Sequence, residues 1–242
     1  MPLLEVEQLT KSFGGLRAVN GVSFSIEPGE LLGIMGPNGS GKTTVFNLIA
    51  GALAPDGGCI CLHGEEIGGL SPHRICGMGV ARTFQLVRPF PALSALDNVR
   101  VGQLYGRAPA HIDPVKLLAL VGLEGKARAQ AADLTLVERK RLELARALAT
   151  SPSLLLLDEF LAGLNPAETA GVMGLIQTLV AEGMTILMVE HIVWALMKLS
   201  RRILVLSAGE KIAEGPPEAV AGDSVVLDAY LGGDPGSWTR AA

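Results

Sequence analysis

Alternation of apolar and polar residues is the clearest pattern in the N-terminal part of the chain. Residues 4–7 and 22–26 alternate apolar side chains with glutamates and serines, respectively. Strict alternation is typical of strands that bury one face. Residues 59–63 alternate in the same way after the turn residues 56–58. We therefore predict an antiparallel β section in this part of the chain.

Runs made almost entirely of apolar residues form a second pattern. They cover residues 31–35, 154–157 and 184–189. Short runs of this kind predict buried strands, and the run at 154–157 fits a parallel strand that is buried on both faces. Residues 203–206 and 211–213 flank a glycine-containing turn and predict a hairpin.

Helical spacing of apolar residues appears mainly in the middle of the chain. It predicts helices over 94–99, 114–121 and 137–149. Thr135 and Glu138 have the spacing of a capping box, in which the threonine accepts from a backbone N–H and the glutamate reaches back. Further helices are predicted at residues 44–50, 216–220 and 225–231.

These patterns divide the chain into three parts. We predict a nucleotide-binding α/β core that comprises residues 1–88 and 151–231 and includes the antiparallel β section. A helical subdomain is predicted at 89–150, inserted into this core, and a flexible tail at 232–242.

Composition narrows the classes of function. The 242 residues suffice for one main core and a smaller lobe. Apolar residues make up 49% of the chain, but no apolar run approaches the roughly 20 residues of a membrane span, and no secretion signal is evident. Three cysteines predict a reducing, cytoplasmic setting. The net charge of -4 argues against nucleic acid as the main partner.

A phosphate-binding pattern lies between a predicted strand and a predicted helix. Residues 36–43 read Gly-Pro-Asn-Gly-Ser-Gly-Lys-Thr and fill every fixed position of G-x-x-x-x-G-K-[ST]. Glycines let backbone N–H groups point at phosphate oxygens, and the helix N-terminus adds its partial positive charge. A glycine-rich turn with a surface lysine is the alternative, and the full match with its flanking elements favours phosphate binding. The candidate nucleotide contacts are Gly36, Pro37, Asn38, Gly39, Ser40, Gly41, Lys42, Thr43 and Thr44.

Two of these residues have distinct expected roles. Lys42 is expected to reach the β- and γ-phosphates of a nucleotide, and Thr43 is expected to bind Mg²⁺ through its hydroxyl.

Two acids and a histidine follow the later apolar runs. Asp158 and Glu159 come directly after residues 154–157, and His191 follows residues 184–189. The carboxyl ends of parallel strands meet at the sheet edge where the phosphate loop also lies. Asp158 could then hold Mg²⁺ through water, and Glu159 could polarise the water that attacks the γ-phosphate. A solvated histidine is the alternative for His191, and its predicted place at this edge favours a catalytic role.

Cys59, Cys61 and His63 fall on one face of a predicted strand, which raises the question of a metal site. Ligands at i, i+2 and i+4 on a strand lie about 7 Å apart, too far for one tetrahedral zinc ion. We therefore interpret this face as ordinary strand packing.

The order and spacing of several motifs match a known family. The phosphate loop, Gln85, residues 134–141, the Leu-Leu-Leu-Leu-Asp-Glu run and His191 resemble the ATPase subunit of ATP-binding cassette (ABC) transporters, over nearly the whole chain. The resemblance implies an α/β fold: a P-loop NTPase core with a RecA-like mixed sheet, an antiparallel β subdomain and an inserted helical subdomain. It also implies ATP and Mg²⁺ as cofactors.

The resemblance assigns roles to two further residues. Gln85 matches the glutamine that senses Mg²⁺ and the membrane partner, so it is a candidate catalytic and metal-binding residue. Phe13 matches an aromatic that stacks on adenine, and a half-buried strand aromatic is the equal alternative.

Partners also follow from the resemblance. It implies a dimer with a second ATPase subunit, identical or different, with residues 164–166 as a dimer contact. It further implies integral membrane permease subunits, a solute-binding protein, and a peripheral location on the cytoplasmic side of the membrane. Residues 9–16, 81–85, 189–191 and 213–217 look most like the importer subunits for branched-chain amino acids.

The signature segment departs from the family pattern. The family has roughly Leu-Ser-Gly-Gly-Gln where residues 134–138 read Leu-Thr-Leu-Val-Glu. In the family this segment binds ATP held by the opposite subunit, which makes Thr135 a candidate ATP contact. Leu136 and Val137 place side chains where the backbone should approach the γ-phosphate. We therefore hypothesise two unequal ATP sites in the dimer, the weaker one using this chain's signature segment.

Two other functions compete with transport-coupled ATP hydrolysis. The irregular signature permits a regulatory subunit that binds ATP and hardly hydrolyses it. A soluble ABC-type ATPase that acts on DNA or ribosomes predicts a basic face or a second cassette, and neither is evident in the sequence.

Overall fold

The computed structural model describes residues 1–83, 88–106 and 112–231. The strands in chain order are β1 (Leu4–Phe13), β2 (Leu16–Ile26), β3 (Leu31–Met35), β4 (Gly57–Leu62), β5 (Glu65–Glu66), β6 (Val80–Arg82), β7 (Leu154–Asp158), β8 (Thr185–Val189), β9 (Arg202–Ser207) and β10 (Glu210–Gly215). The helices are α1 (Lys42–Ile49), α2 (Pro72–Gly77), α3 (Ala95–Tyr105), α4 (Pro114–Leu120), α5 (Leu136–Leu148), α6 (Pro166–Ala181), α7 (Val193–Leu199), α8 (Pro217–Ala221) and α9 (Ser224–Leu231).

Within the described residues, the strands form a smaller antiparallel sheet and a larger mixed sheet. The smaller sheet has the order β2-β1-β4-β5. The larger sheet has the order β10-β9-β3-β8-β7-β6. Its β9–β10 pair is an antiparallel hairpin, and its other neighbouring pairs are parallel. This is the α/β fold of a P-loop NTPase, with the expected antiparallel section beside it.

The larger sheet separates two hydrophobic cores. In β3, Leu31 and Met35 pack into one core, and Leu32 and Ile34 pack into the other. Strands β7, β8 and β9 alternate between the cores in the same way. Helices α3 to α7 cover one face, while α1 and the antiparallel sheet cover the other. Both faces are therefore buried, which explains why these strands read as uninterrupted apolar runs.

The topology brings three strand ends together. Ile34 of β3 and Asp158 of β7 are both register partners of Val189 at the end of β8. The segments that follow these strands, which carry the phosphate loop, Glu159 and His191, therefore leave the sheet at the same edge.

Most predicted elements are confirmed, with shifts at their ends. The helix expected at 44–50 begins at Lys42, and the helix expected at 94–99 continues to Tyr105. Helices α2, α6 and α7 were not predicted. Gln85 and residues 232–242 lie outside the described residues, and the assignment of 89–150 to a separate subdomain stays a prediction.

His63 does not share the strand face of Cys59 and Cys61, so that prediction was wrong. Strand β4 ends at Leu62, and His63 and Gly64 have φ angles of 52° and 80° in the tight turn to β5. A two-residue hairpin turn with both residues at positive φ matches the twist of the flanking strands. The His63 ring instead contacts the Ser153 hydroxyl through Nε2 at 3.1 Å.

No helix in the described ranges combines the length and apolar character that a membrane span requires.

Candidate active site

The phosphate loop connects the end of β3 to the start of α1, and two of its glycines cannot be replaced without a clash. Gly36 has a φ of 155°, and a Cβ there would lie 2.1 Å from the Leu206 carbonyl oxygen. Gly41, the N-cap of α1, has a φ of 103°, and its Cβ would lie 2.5 Å from the Ala18 oxygen. The loop therefore packs against its neighbours backbone to backbone, and its amides lie at the N-terminus of α1.

Lys42 is buried inside this loop. Its Nζ donates to the Gly36 carbonyl at 2.6 Å and to the Pro37 carbonyl at 2.9 Å. Burial lowers the pKa of Lys42, and the nearby charge of Glu159 acts in the opposite direction. The ammonium group is thus held at the centre of the loop by the loop's own carbonyls, which fixes a positive charge where phosphate is expected.

A cleft of 410 Å³ runs along the phosphate loop. Its lining brings together residues from the β1–β2 hairpin, the loop and the ends of β7 and β8. The lining residues are Phe13, Leu16, Ala18, Asn38, Gly39, Ser40, Gly41, Lys42, Thr43, Thr44, Glu159 and His191. Most of the predicted nucleotide contacts and two of the predicted catalytic residues therefore meet in one cavity.

Phe13 forms part of the wall of this cleft. Its ring is 47% exposed at the end of β1, and the Lys11 Nζ lies 5.9 Å from the ring centroid. An exposed aromatic face beside a phosphate loop suits stacking on a base. Its role stays a prediction, but the structure places it where such stacking could occur.

Glu159 and His191 form a hydrogen-bonded pair at the cleft. The His191 Nε2 lies 2.7 Å from Glu159 Oε1. An ionised carboxylate only accepts hydrogen bonds, so Nε2 carries the proton when Glu159 is ionised. Glu159 has a φ of 47°, an uncommon value for a residue with a side chain, and its N–H donates to the Val189 carbonyl at 2.9 Å. The two residues expected at this edge are therefore in direct contact.

Asp158 lies behind the cleft and is ion-paired. The Arg82 guanidinium donates to Asp158 Oδ2 at 2.7 Å through one nitrogen and to Asn47 Oδ1 at 2.7 Å through another. The Arg82 and Asp158 side chains are 14% and 8% exposed. Arg82 thus ties the end of β7 to α1, the helix that follows the phosphate loop. The sequence analysis missed this arginine, although a basic residue at the end of a buried strand was a usable signal.

Thr135 occupies the N-cap of α5, and the capping box is confirmed. The Glu138 N–H donates to Thr135 Oγ1 at 3.3 Å, and the Thr135 N–H donates to Glu138 Oε2 at 2.9 Å. Thr135 does not line the cleft of its own chain. Leu136, the next residue, is 42% exposed.

Oxygen donors suited to Mg²⁺ are present at the site. In the described residues, no three His, Cys, Asp or Glu side chains converge as a metal cluster. Thr43 lines the cleft, and Asp158 ends β7 directly before Glu159, which also lines it. Mg²⁺ is usually held by one or two protein oxygens together with water and substrate phosphates, so this sparse donor set fits the ion.

This fold and site define a P-loop ATPase. The family model described as "ABC transporter" matches residues 19–162, and the model described as "Branched-chain amino acid ATP-binding cassette transporter" matches residues 210–235. The chain belongs to the ABC transporter family, as an ATP-binding subunit.

Curated relatives match the chain over almost its whole length. BraF of Pseudomonas aeruginosa, a high-affinity branched-chain amino acid transport ATP-binding protein, is 42% identical and aligned over 96% of this chain and 98% of its own. LivG of Escherichia coli, which carries the same description, is 40% identical with the same coverage.

Solved structures agree with this membership. The ADP conformation of an ATP-binding cassette of an ABC transporter superimposes with a TM-score of 0.87 at 29% identity, covering 96% of this chain and 99% of that chain. A dimeric ATP-binding cassette bound to ADP and Pi superimposes with a TM-score of 0.77 at 26% identity, covering 88% and 98%.

Proposed function

We propose that this chain hydrolyses Mg-bound ATP in the cleft beside residues 36–43 and thereby drives an importer of branched-chain amino acids or related small solutes. The observation that carries the hydrolytic part is the meeting of Lys42, Glu159 and His191 in one cleft. Similarity to BraF and LivG over almost the whole chain supports the solute class.

The phosphate groups of ATP are bound by the loop of residues 36–43 and by Lys42. Loop amides and the N-terminus of α1 bind the phosphate oxygens, and the buried Lys42 ammonium neutralises charge that develops on the β- and γ-phosphates. Phe13 stacks on the adenine ring from the hairpin side of the cleft. Thr43, Asp158 and Gln85 would hold Mg²⁺, which would supply charge neutralisation of the phosphates.

Glu159 and His191 handle the attacking water. Glu159 accepts a proton from the water while the water oxygen bonds to the γ-phosphorus. The bond between the γ-phosphorus and the oxygen that bridges the β- and γ-phosphates breaks, which leaves ADP and inorganic phosphate. His191 holds the Glu159 carboxylate through its 2.7 Å contact and so keeps it directed at the cleft.

A subunit that binds ATP with little hydrolysis is the second candidate function. Leu136 and Val137 replace two signature glycines, and the Leu136 side chain is exposed at the start of α5. This departure is compatible with hydrolysis in an unequal dimer. There, this chain supplies the stronger phosphate loop to one ATP site and the weaker signature segment to the other. A single-turnover assay of the complex distinguishes the two functions, because a binding-only subunit would retain ATP unhydrolysed.

The membrane partner has a candidate docking place on this chain. A groove of 450 Å³ lies between α2, α3, α5 and β6, and Ile75, Phe90, Val101 and Tyr105 supply much of its apolar wall. We assign it to a cytoplasmic segment of an integral membrane permease, which makes this chain a peripheral subunit on the cytoplasmic side. A solute-binding protein belongs to the same importer model.

Adjacent residues of α3 provide a matched test of docking. Tyr105 lines the groove, whereas the exposed Leu104 does not. We expect Tyr105→Glu to reduce copurification with the permease at least fivefold and Leu104→Glu to leave it unchanged. Equal recovery of both variants would contradict this docking surface.

Transport-coupled hydrolysis is tested on the chain copurified with its membrane subunits and solute-binding protein in lipid vesicles. We expect leucine, isoleucine or valine to stimulate ATP hydrolysis several-fold. Stimulation only by solutes of another class would overturn the solute assignment, and absence of a copurifying membrane subunit would overturn the transporter role.

A further inference from the structure

Two charged side chains are buried just outside the cleft, and the proposed chemistry does not use them. Lys140, on α5, is 2% exposed, and Glu190, directly after β8, is 3% exposed. Neither residue lines the cleft. Removing an ion from water is unfavourable unless polar groups compensate, so the partners of these two side chains are informative.

Both side chains bind the same peptide group. The Lys140 Nζ donates to the Phe160 carbonyl oxygen at 2.8 Å, and the Leu161 N–H donates to Glu190 Oε1 at 2.8 Å. This carbonyl and this N–H belong to the single peptide bond between Phe160 and Leu161. The peptide is thus held by a cation at its oxygen and by a carboxylate at its nitrogen.

Further interactions stabilise the arrangement. The Lys140 Nζ lies 5.6 Å from the centroid of the Phe160 ring, within the range of a cation–π contact. Burial lowers the pKa of Lys140, whereas the charges of Glu190, Glu143 and Glu159 favour its protonated form. When Glu190 is ionised, its charge and that of Lys140 therefore favour each other across the peptide they bind.

The peptide bond between Phe160 and Leu161 directly follows Glu159 in the chain. Glu159 has a φ of 47°, and the left-handed region is unfavourable for a residue with a side chain. Its N–H is held by the Val189 carbonyl at 2.9 Å. The turn that starts at Glu159 is therefore fixed on one side by β8 and on the other by Lys140 and Glu190.

We propose that Lys140 and Glu190 are positioning residues that hold the peptide between Phe160 and Leu161 and thereby keep Glu159 in its left-handed conformation, with its carboxylate facing the cleft. The inference rests on the proposed function, in which Glu159 accepts the proton of the attacking water. Neither residue touches the nucleotide, so their loss should reduce hydrolysis without reducing ATP binding.

Substitutions that remove only the Lys140 ammonium or the Glu190 carboxylate test the proposal in the assembled transporter. Lys140→Met keeps most of the length of the side chain but removes the donor, and Glu190→Leu removes the acceptor. Glu190→Gln keeps an oxygen that can accept from Leu161. The matched control is Lys116→Met, which changes an exposed lysine on the neighbouring α4.

Single-turnover hydrolysis and equilibrium ATP binding are the two readouts. We expect Lys140→Met and Glu190→Leu to lower the single-turnover rate at least tenfold while ATP affinity changes less than threefold. Glu190→Gln and Lys116→Met should stay within threefold in both. Retained ATP binding also shows that a variant has folded.

The failure of this inference is distinguishable from failure of the proposed function. If Lys140→Met and Glu190→Leu hydrolyse ATP at the wild-type rate while Glu159→Gln does not, the positioning role is wrong and the catalytic role stands. A parallel fall in ATP affinity and rate would also overturn the positioning role, because it would indicate a general loss of structure. Wild-type hydrolysis by Glu159→Gln would overturn the proposed function itself.

Discussion

Arg82 and Asp158 form a largely buried ion pair that joins β6, β7 and, through Asn47, α1. Removing one member of such a pair leaves an uncompensated charge, whereas exposed pairs contribute little. This contrast can be measured within the same chain, because Arg100 and Asp97 form an exposed pair with side chains 59% and 48% accessible.

We expect Arg82→Met to lower the free energy of unfolding of the purified chain by about 3 kcal/mol, because Asp158 would lose its cation. Arg100→Met should lower it by less than about 1 kcal/mol. Urea unfolding followed by circular dichroism measures both. Similar losses for the two variants would contradict the assigned role of the Arg82 pair.

Glu190 makes stability depend on pH. Burial raises the pKa of Glu190 to about 7, while the Leu161 N–H and Lys140 lower it and Glu159 raises it. In the unfolded chain this carboxyl has its ordinary pKa of 4.5. Between these two values the folded state binds the additional proton, so this group's contribution to stability falls as pH rises through that window.

The corresponding prediction compares the wild type with Glu190→Gln between pH 5 and pH 8. We expect the wild type to lose of the order of 2 kcal/mol more unfolding free energy than the variant as pH rises. Chemical unfolding at several pH values provides the measurement, and taking the difference cancels the titration of all other groups. Parallel curves for the two proteins would show that burial does not raise this pKa.

At the scale of elements, helix starts were predictable from residues that lie close together in the sequence. The capping box of Thr135 and Glu138 correctly marked the start of α5. Helix α6 has the same kind of start, with Asn165 as N-cap, Pro166 at the first position and Glu168 completing a capping box. The apolar periodicity of the sequence does not predict α6, because glycines and exposed apolar residues lie between the buried positions of this helix. Its N-terminal pattern was sufficient to find it.

The capping box of α5 gives a prediction at this scale. We expect Thr135→Ala to destabilise the chain by about 1 kcal/mol, because the Glu138 N–H loses its acceptor, and Thr135→Ser to be nearly neutral. Thermal or urea unfolding of both variants tests this. Equal loss in the serine variant would indicate that packing of the threonine methyl, rather than capping, stabilises this helix start.

The composition of the cleft was largely predictable, but several contacts around it were not. A phosphate loop and acids at the ends of buried parallel strands must meet, because the sheet places those ends at one edge. The pairing of Arg82 with Asp158 and the inward direction of Lys140 depend on how distant segments pack. No periodicity within the sequence encodes such long-range contacts.

At the scale of the whole molecule, the cleft of one chain contains only part of the expected machinery. Thr135 and the exposed Leu136 lie away from it, at the N-terminus of α5, which we propose to contact the ATP of a second subunit. The hypothesis of two unequal sites follows from the residues present at that N-terminus.

Restoring glycine at the signature tests this hypothesis. We expect the double substitution Leu136→Gly and Val137→Gly to raise ATP turnover of the assembled transporter several-fold, because the backbone could then approach the γ-phosphate. The expected cost is about 1–2 kcal/mol of helix stability. Steady-state ATPase assays measure the effect, and unchanged or lower turnover in a correctly assembled complex would contradict a signature-limited site.

The most direct test of the central claim is single-turnover ATP hydrolysis by the assembled transporter containing Glu159→Gln, with the exposed Glu182→Gln as control. If Glu159 accepts the proton of the attacking water, the variant should bind ATP as the wild type does and hydrolyse it about a hundredfold more slowly or worse. The control should be unaffected. Hydrolysis within twofold of the wild type by Glu159→Gln would contradict the account of this cleft as the catalytic site.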